Sequence, residues 1–168
     1  MRTVTAILAA AMLMTLAARA ESRSPRAELA GIRLGMTEEA ARERLAKQGA
    51  PASGARAKRE EDEQETWSLR RGPWGYVTLG LAGGKVHWVT AFARRNGPRV
   101  RYRDLGSLDE SRRTRTYLYI WRVPTRRDAP PYTVIARGSD SLFVTSVSLA
   151  SYDEESIRGR TAPPDTTH

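Results

Sequence analysis

In Arg99-Val100-Arg101-Tyr102-Arg103 three guanidinium groups recur on alternate residues. An extended chain turns successive side chains to opposite sides, so all three would share one face. A few residues on, Arg115, Tyr117, Tyr119 and Trp121 repeat that spacing, with Leu118 and Ile120 on the other side. Planar rings beside guanidinium groups stack on sugars or bases, and the guanidinium fork grips a carboxylate or phosphate through paired hydrogen bonds. These seven residues are the candidate binding surface, and Arg112, Arg113, Arg126 and Arg127 add positive charge close by in the chain. One face of the second segment has to be core. Leu118 and Ile120 suit that role, which leaves the aromatic row for an anionic or glycan ligand; the alternative is that the aromatics pack against a helix or sit as a cross-strand ladder.

Residues for catalysis are few. Of the two histidines, His168 ends the chain and His87 stands beside Trp88 in a strand-like run. A triad would need a serine and an acid brought to His87 by the fold, and no G-x-S-x-G elbow accompanies it. P-loop, H-E-x-x-H and dinucleotide fingerprints are missing as well. Glu60-Glu61-Asp62-Glu63-Gln64-Glu65 offers oxygen ligands, yet it lacks the alternating spacing and turn glycine of a calcium loop, so it reads as a solvated acidic loop leaning on arginines. The sequence thus nominates no catalytic, cofactor or metal residue.

The elements that must position these side chains are short. Leu29, Ile32 and Leu34 form a brief apolar run before Gly35-Met36. Thr37 then fits a helix N-cap, Glu38 and Glu39 meet the positive end of the helix dipole, and Ala41 and Leu45 share one face. Gly49 is expected to end the helix in a left-handed conformation, with Pro51 beyond it. Residues 50 to 65 show no apolar period and read as a loop. After that the period is two: Trp67 and Leu69, then Tyr76 to Leu81 and Val86 to Phe92 around the glycine turn Ala82-Gly83-Gly84-Lys85.

A second unit follows a similar plan. Ser107-Leu108-Asp109-Glu110 fits a capping box opening a short helix. Arg115 to Val123, Tyr132 to Arg137 and Leu142 to Leu149 read as strands, the last two joined by Gly138-Ser139-Asp140-Ser141. The fold class is therefore α+β, one or two short helices on an antiparallel sheet, arranged as two α-β-β-β units at 29–94 and 104–150.

Residues 1 to 20 have a basic start at Arg2, an apolar run from Val4 to Leu16 and Ala18-Arg19-Ala20 as a cleavage site, the pattern of a secretory signal peptide. The apolar run is well short of the roughly 20 residues that span a bilayer, so no stable membrane insertion is expected after cleavage. Cleavage after Ala20 leaves 26 Lys+Arg against 19 Asp+Glu, a net charge of +7. There is no cysteine, hence no disulfide framework and no lipid-attachment site. Residues 21–152 suffice for a single domain without covalent staples, and the proline-containing polar stretch 153–168 is expected to be disordered.

Gly35-Met36-Thr37, apolar positions four and eight residues after the threonine, a glycine at the helix end and a later strand hairpin resemble the exported β-lactamase-inhibitor-like superfamily. That superfamily includes the SmpA/OmlA (BamE) accessory lipoproteins of outer-membrane assembly and the β-lactamase inhibitor proteins. The resemblance covers residues 29–94 and implies a helix-on-sheet module that binds or scaffolds without catalysis. This chain differs in lacking the anchoring cysteine and in placing small Ala41 where a bulkier aliphatic residue is usual, and no binding residue carries over. The expectation is a soluble periplasmic or secreted accessory protein that engages a protein or an anionic envelope component, with no nucleic-acid motif. The rival expectations are a hydrolase inhibitor acting through the loops at 82–85 or 138–141, and an exported enzyme whose machinery the sequence does not single out.

Overall fold

A computed structural model describes residues 25, 27–59, 62–124 and 130–151. The expected signal peptide at 1–20 and the tail from 153 lie outside the described residues. In chain order the elements are β1 (Glu28–Leu29), β2 (Ile32–Arg33), α1 (Glu38–Ala46), β3 (Gly49–Arg59), β4 (Asp62–Leu69), β5 (Trp74–Ala82), β6 (Lys85–Ala93), α2 (Tyr102–Leu105), β7 (Arg112–Arg115), β8 (Leu118–Val123), β9 (Tyr132–Arg137) and β10 (Ser146–Ser151). Among the described residues no helix is long and apolar enough to cross a membrane.

The local chemistry of α1 follows its sequence. Thr37 sits in extended geometry and its hydroxyl accepts from the Ala40 N–H at 3.3 Å, satisfying one of the free donors at the helix start. Ala41 and Leu45 are fully buried. Gly49 does not cap the helix: Lys47 is the C-cap, and Gly49 opens β3 without a positive φ. Glycine is needed there for space, since a Cβ would overlap the Ser68 carbonyl of the neighbouring strand. The turn between β5 and β6 has φ +56° at Gly83 and +71° at Gly84. Positive φ at both central residues is the geometry that matches strand twist in a two-residue hairpin. This turn is fastened to the entry of α1, where Gly35 N–H donates to Val86 O and Val86 N–H to Met36 O, both at 2.8 Å.

All eight long strands form one antiparallel sheet in the order β3-β4-β5-β6-β10-β9-β8-β7. A helix followed by four strands therefore occurs twice, and the sheet reads alike from either edge, with β6 and β10 meeting at its centre. Each unit holds one strand more than the expected three. The extra strand of the first unit is β3, and together with β4 it occupies most of the stretch read as a loop at 50–65. As an edge strand β3 has one neighbour, tolerates Pro51 and needs little apolar content, so no period marked it. In the second unit the run 115–123 is broken by a turn at Tyr117, whose φ is +58°, and yields β7 and β8. The short helix lies at 102–105 rather than at 107, and β10 begins at Ser146, so the β9–β10 connection is longer than the four residues expected.

Both helices lie on one side of the sheet, the front. There Leu45 and Ala41 join Trp67, Val77, Leu79, Val89, Val147, Leu149 and Trp121 in the core. Burial of this apolar surface is the main favourable term for the fold.

Candidate functional site

The predicted aromatic row faces the core. Trp121 is 1% exposed and its indole N–H donates to Ser107 O at 2.7 Å. Tyr119 packs on that core between Trp121 and Tyr102, with ring centroids 6.2 and 4.6 Å away. Tyr117 is half-buried at the β7–β8 turn, its carbonyl accepting from the Tyr102 hydroxyl at 2.8 Å. Burial pushes the Tyr102 phenol up to about 12, and the neighbouring Tyr119, Asp140 and Tyr117 push the same way. The expected assignment of faces on β8 is thus reversed, because α2 brings Tyr102 down onto the aromatic side and Leu118 and Ile120 turn to the back.

The arginines separate. Arg103 belongs to the single turn of α2, so the alternation of the segment is not that of a strand. Arg99 lies with its guanidinium carbon 3.7 Å from the centroid of the Phe143 ring and donates to Asp140 at 2.9 Å; Arg101 stands 5.9 Å from the same ring. Backbone N–H groups of Phe143 and Leu142 donate to Asp140 and hold its carboxyl below the usual range, helped by Arg99. Arg115 pairs with Leu118 in the β7–β8 ladder.

His87 sits at the irregularity where β6 pairs with β5, and its carbonyl accepts from the Ser151 hydroxyl at 3.1 Å. Among the described residues no serine or acid bonds its ring. Glu63 and Glu65 of the acidic run belong to β4, where Glu65 is 5% exposed and takes a two-point hydrogen bond from Arg42 of α1. Glu38 also pairs with Arg42, and the Trp67 indole N–H reaches Glu65 at 3.4 Å. Hydrogen bonding to Glu65 raises the Arg42 guanidinium further above its ordinary value. Three carboxylates close enough to share a cation are therefore already gathered around one guanidinium, which ties α1 to the sheet.

A cleft of ≈ 930 Å³ opens on the front between the β1–β2 hairpin and the Pro98–Leu105 segment, lined by Leu29, Leu34, Trp74, Val100, Tyr132 and Val147 among others. It lies over β9 and β10, which the single turn of α2 does not roof.

The residues that the sequence did not single out are on the back. Register aligns them in three rows across the sheet. One runs Tyr76, Phe92, Ser146, Arg137; the next Thr66, Thr78, Thr90, Ser148, Ile135, Ile120, Arg112; the third Gln64, Gly80, Trp88, Ala150, Thr133, Arg122. Tyr76 and Phe92 are cross-strand neighbours and stand 51% and 43% exposed. Trp88 lies over Gly80, where a Cβ would overlap its indole. Between these rings Thr66 and Thr78 share a hydrogen bond at 3.2 Å, and Thr90 and Ser148 another at 2.8 Å. The hydroxyl of Thr133, a residue 6% exposed, is buried with no hydrogen-bond partner among the described residues. Each row reaches an exposed arginine towards the β7 edge, and β5 to β10 contain no Asp or Glu. The alternation of Tyr76 to Leu81 and Val86 to Phe92 is visible in the sequence, but it does not say which face another layer covers.

Compared with protein-family models, curated proteins and solved structures, the chain has no match.

Proposed function

We propose that this chain is an exported, non-catalytic binding module of the cell envelope and that the back of its sheet is the binding surface. One observation carries this reading: Tyr76 and Phe92 stand exposed side by side on a sheet face that neither helix covers. Large apolar side chains exposed together on a flat face are costly to leave in water and mark an interaction surface. The resemblance to the exported superfamily of outer-membrane accessory lipoproteins and β-lactamase inhibitor proteins supports a binding role of this kind.

The test is recovery of partners from the protein's own envelope extract, using the exported chain and its Tyr76→Ala/Phe92→Ala variant at low and high salt. The expected result is a partner or envelope component retained by the parent and lost by the variant. Equal retention by both would remove the back face from the reading. A second reading, a hydrolase inhibitor working through the β9–β10 connection, draws on Leu142, which is 61% exposed there. It requires a stoichiometric hydrolase complex that weakens on Leu142→Ala or Asp140→Ala.

A further inference from the structure

We infer that the back face binds an acidic polysaccharide, lying across the strands along the first row with its sugar rings on Tyr76 and Phe92 and a carboxylate on Arg137, and with Arg112 alongside. This rests on the back face being the binding surface and names its ligand class.

Three features converge on that chemistry. Adjacent strands lie about 4.8 Å apart, so the row from Tyr76 through Phe92 and Ser146 to Arg137 covers about 14 Å, an extended platform rather than a pocket. Exposed rings at its start offer π-faces to the C–H faces of pyranoses, the kind of stacking that tolerates variation in the ligand. The middle of the face carries the half-buried Thr66, Thr90, Ser146 and Ser148, and a hydroxyl already in one hydrogen bond, as in the Thr90–Ser148 pair, keeps further capacity to accept from a polyhydroxylated ligand. Thr133, buried with an unpartnered hydroxyl on the row that ends at Arg122, adds a polar group whose desolvation is not yet compensated among the described residues.

Charge selects the acidic member of the class. On the back face Arg112 and Arg137 stand exposed, and the strands β5 to β10 themselves hold no Asp or Glu. Guanidinium groups bind carboxylates through two parallel hydrogen bonds, and their position at the row ends places them beyond the stacking rings. A partner protein would ask for shape complementarity from a face whose central side chains are small.

The experiment measures binding of the exported chain to sodium alginate, a polyuronate, with neutral dextran and poly-glutamate as controls, by affinity electrophoresis and calorimetry. Alginate is expected to bind, dextran at least about tenfold more weakly, and poly-glutamate without dependence on the rings. Tyr76→Ala and Phe92→Ala should each weaken alginate binding by about tenfold, while Phe92→Tyr keeps it. Arg137→Gln should weaken alginate binding and leave dextran unchanged. Unchanged far-ultraviolet circular dichroism shows that each variant is folded. Alginate and poly-glutamate bound alike, with no loss in the ring variants, would overturn the inference in favour of diffuse charge. If the ring variants lose an envelope protein in the extract while alginate fails to bind the parent, the ligand class is wrong and the surface stands. If the extract and alginate are both indifferent to the rings, the surface falls too.

Discussion

The two faces of this sheet use similar side chains to opposite ends. On the front, aromatic residues are covered and their polar atoms are spent inside the molecule: Trp121 N–H on Ser107 O, the Tyr102 hydroxyl on Tyr117 O and the Tyr132 hydroxyl on Pro25 O at 2.7 Å. On the back, Tyr76 and Phe92 stand in solvent beside a hydroxyl row. The difference teaches that aromatic residues on alternate positions of a strand mark a face, and that the layer packed against it decides whether the face is core or surface. Here one turn of helix at Tyr102 decides it for β8.

Trp121 is the residue on which the contrast between the two faces depends most. Trp121→Ala removes a buried ring and should cost about 3–5 kcal/mol, read as a lower midpoint in urea unfolding. An unchanged midpoint would mean that the faces of β8 have been exchanged. Arg42→Ala tests the ion cluster that joins α1 to β4. It leaves the Glu65 carboxylate buried without its guanidinium, and the expected loss is about 2 kcal/mol, below that of a fully buried pair because Arg42 reaches solvent. A methyl group added on the back should matter less: Gly80→Ala displaces the Trp88 indole at about 1–2 kcal/mol, with a shift in tryptophan emission.

The smallest effect belongs to the β9–β10 connection, outside both faces. Asp140 has a depressed pKa in the folded chain, so its contribution is present above its unfolded pKa and is lost as pH falls through the folded one. Amide exchange at Leu142 and Phe143 should therefore quicken below the usual aspartate range relative to the exchange of β5 amides. Asp140→Asn should flatten that dependence.

Much of the frame was legible. Thr37 with Glu38 and Glu39 placed α1, the pair Gly83-Gly84 placed a hairpin, and Tyr132 to Arg137 matched β9 at both ends. Those signals are local, set by caps, dipoles and backbone angles. The edge strand β3 was hidden because pairing with β4 alone orders a sequence of small and charged residues. The back-face site was hidden for a different reason. In β5 every residue from Trp74 to Leu81 but Thr78 is apolar, aromatic or glycine, so Tyr76 looks like one more core residue until the whole sheet is assembled. The arginine trio failed as a single surface because Tyr102 pulls residues 102–105 into a helical turn.

The meeting of β6 and β10 at the centre of the sheet bears on how the chain folds. Every other strand pair joins near neighbours along the chain, whereas Phe92 waits for Ser146 and Trp88 for Ala150. Contacts between distant segments form late because the loop they close carries an entropy cost. The first unit emerges first from synthesis, so it spends an interval with β6 as a bare edge rich in Val, Trp and Phe. During that interval a second copy offers the same edge in the antiparallel sense, and the arrival of β10 competes with self-pairing. Closure of β10 onto β6 therefore ends the interval in which that edge is open to another chain.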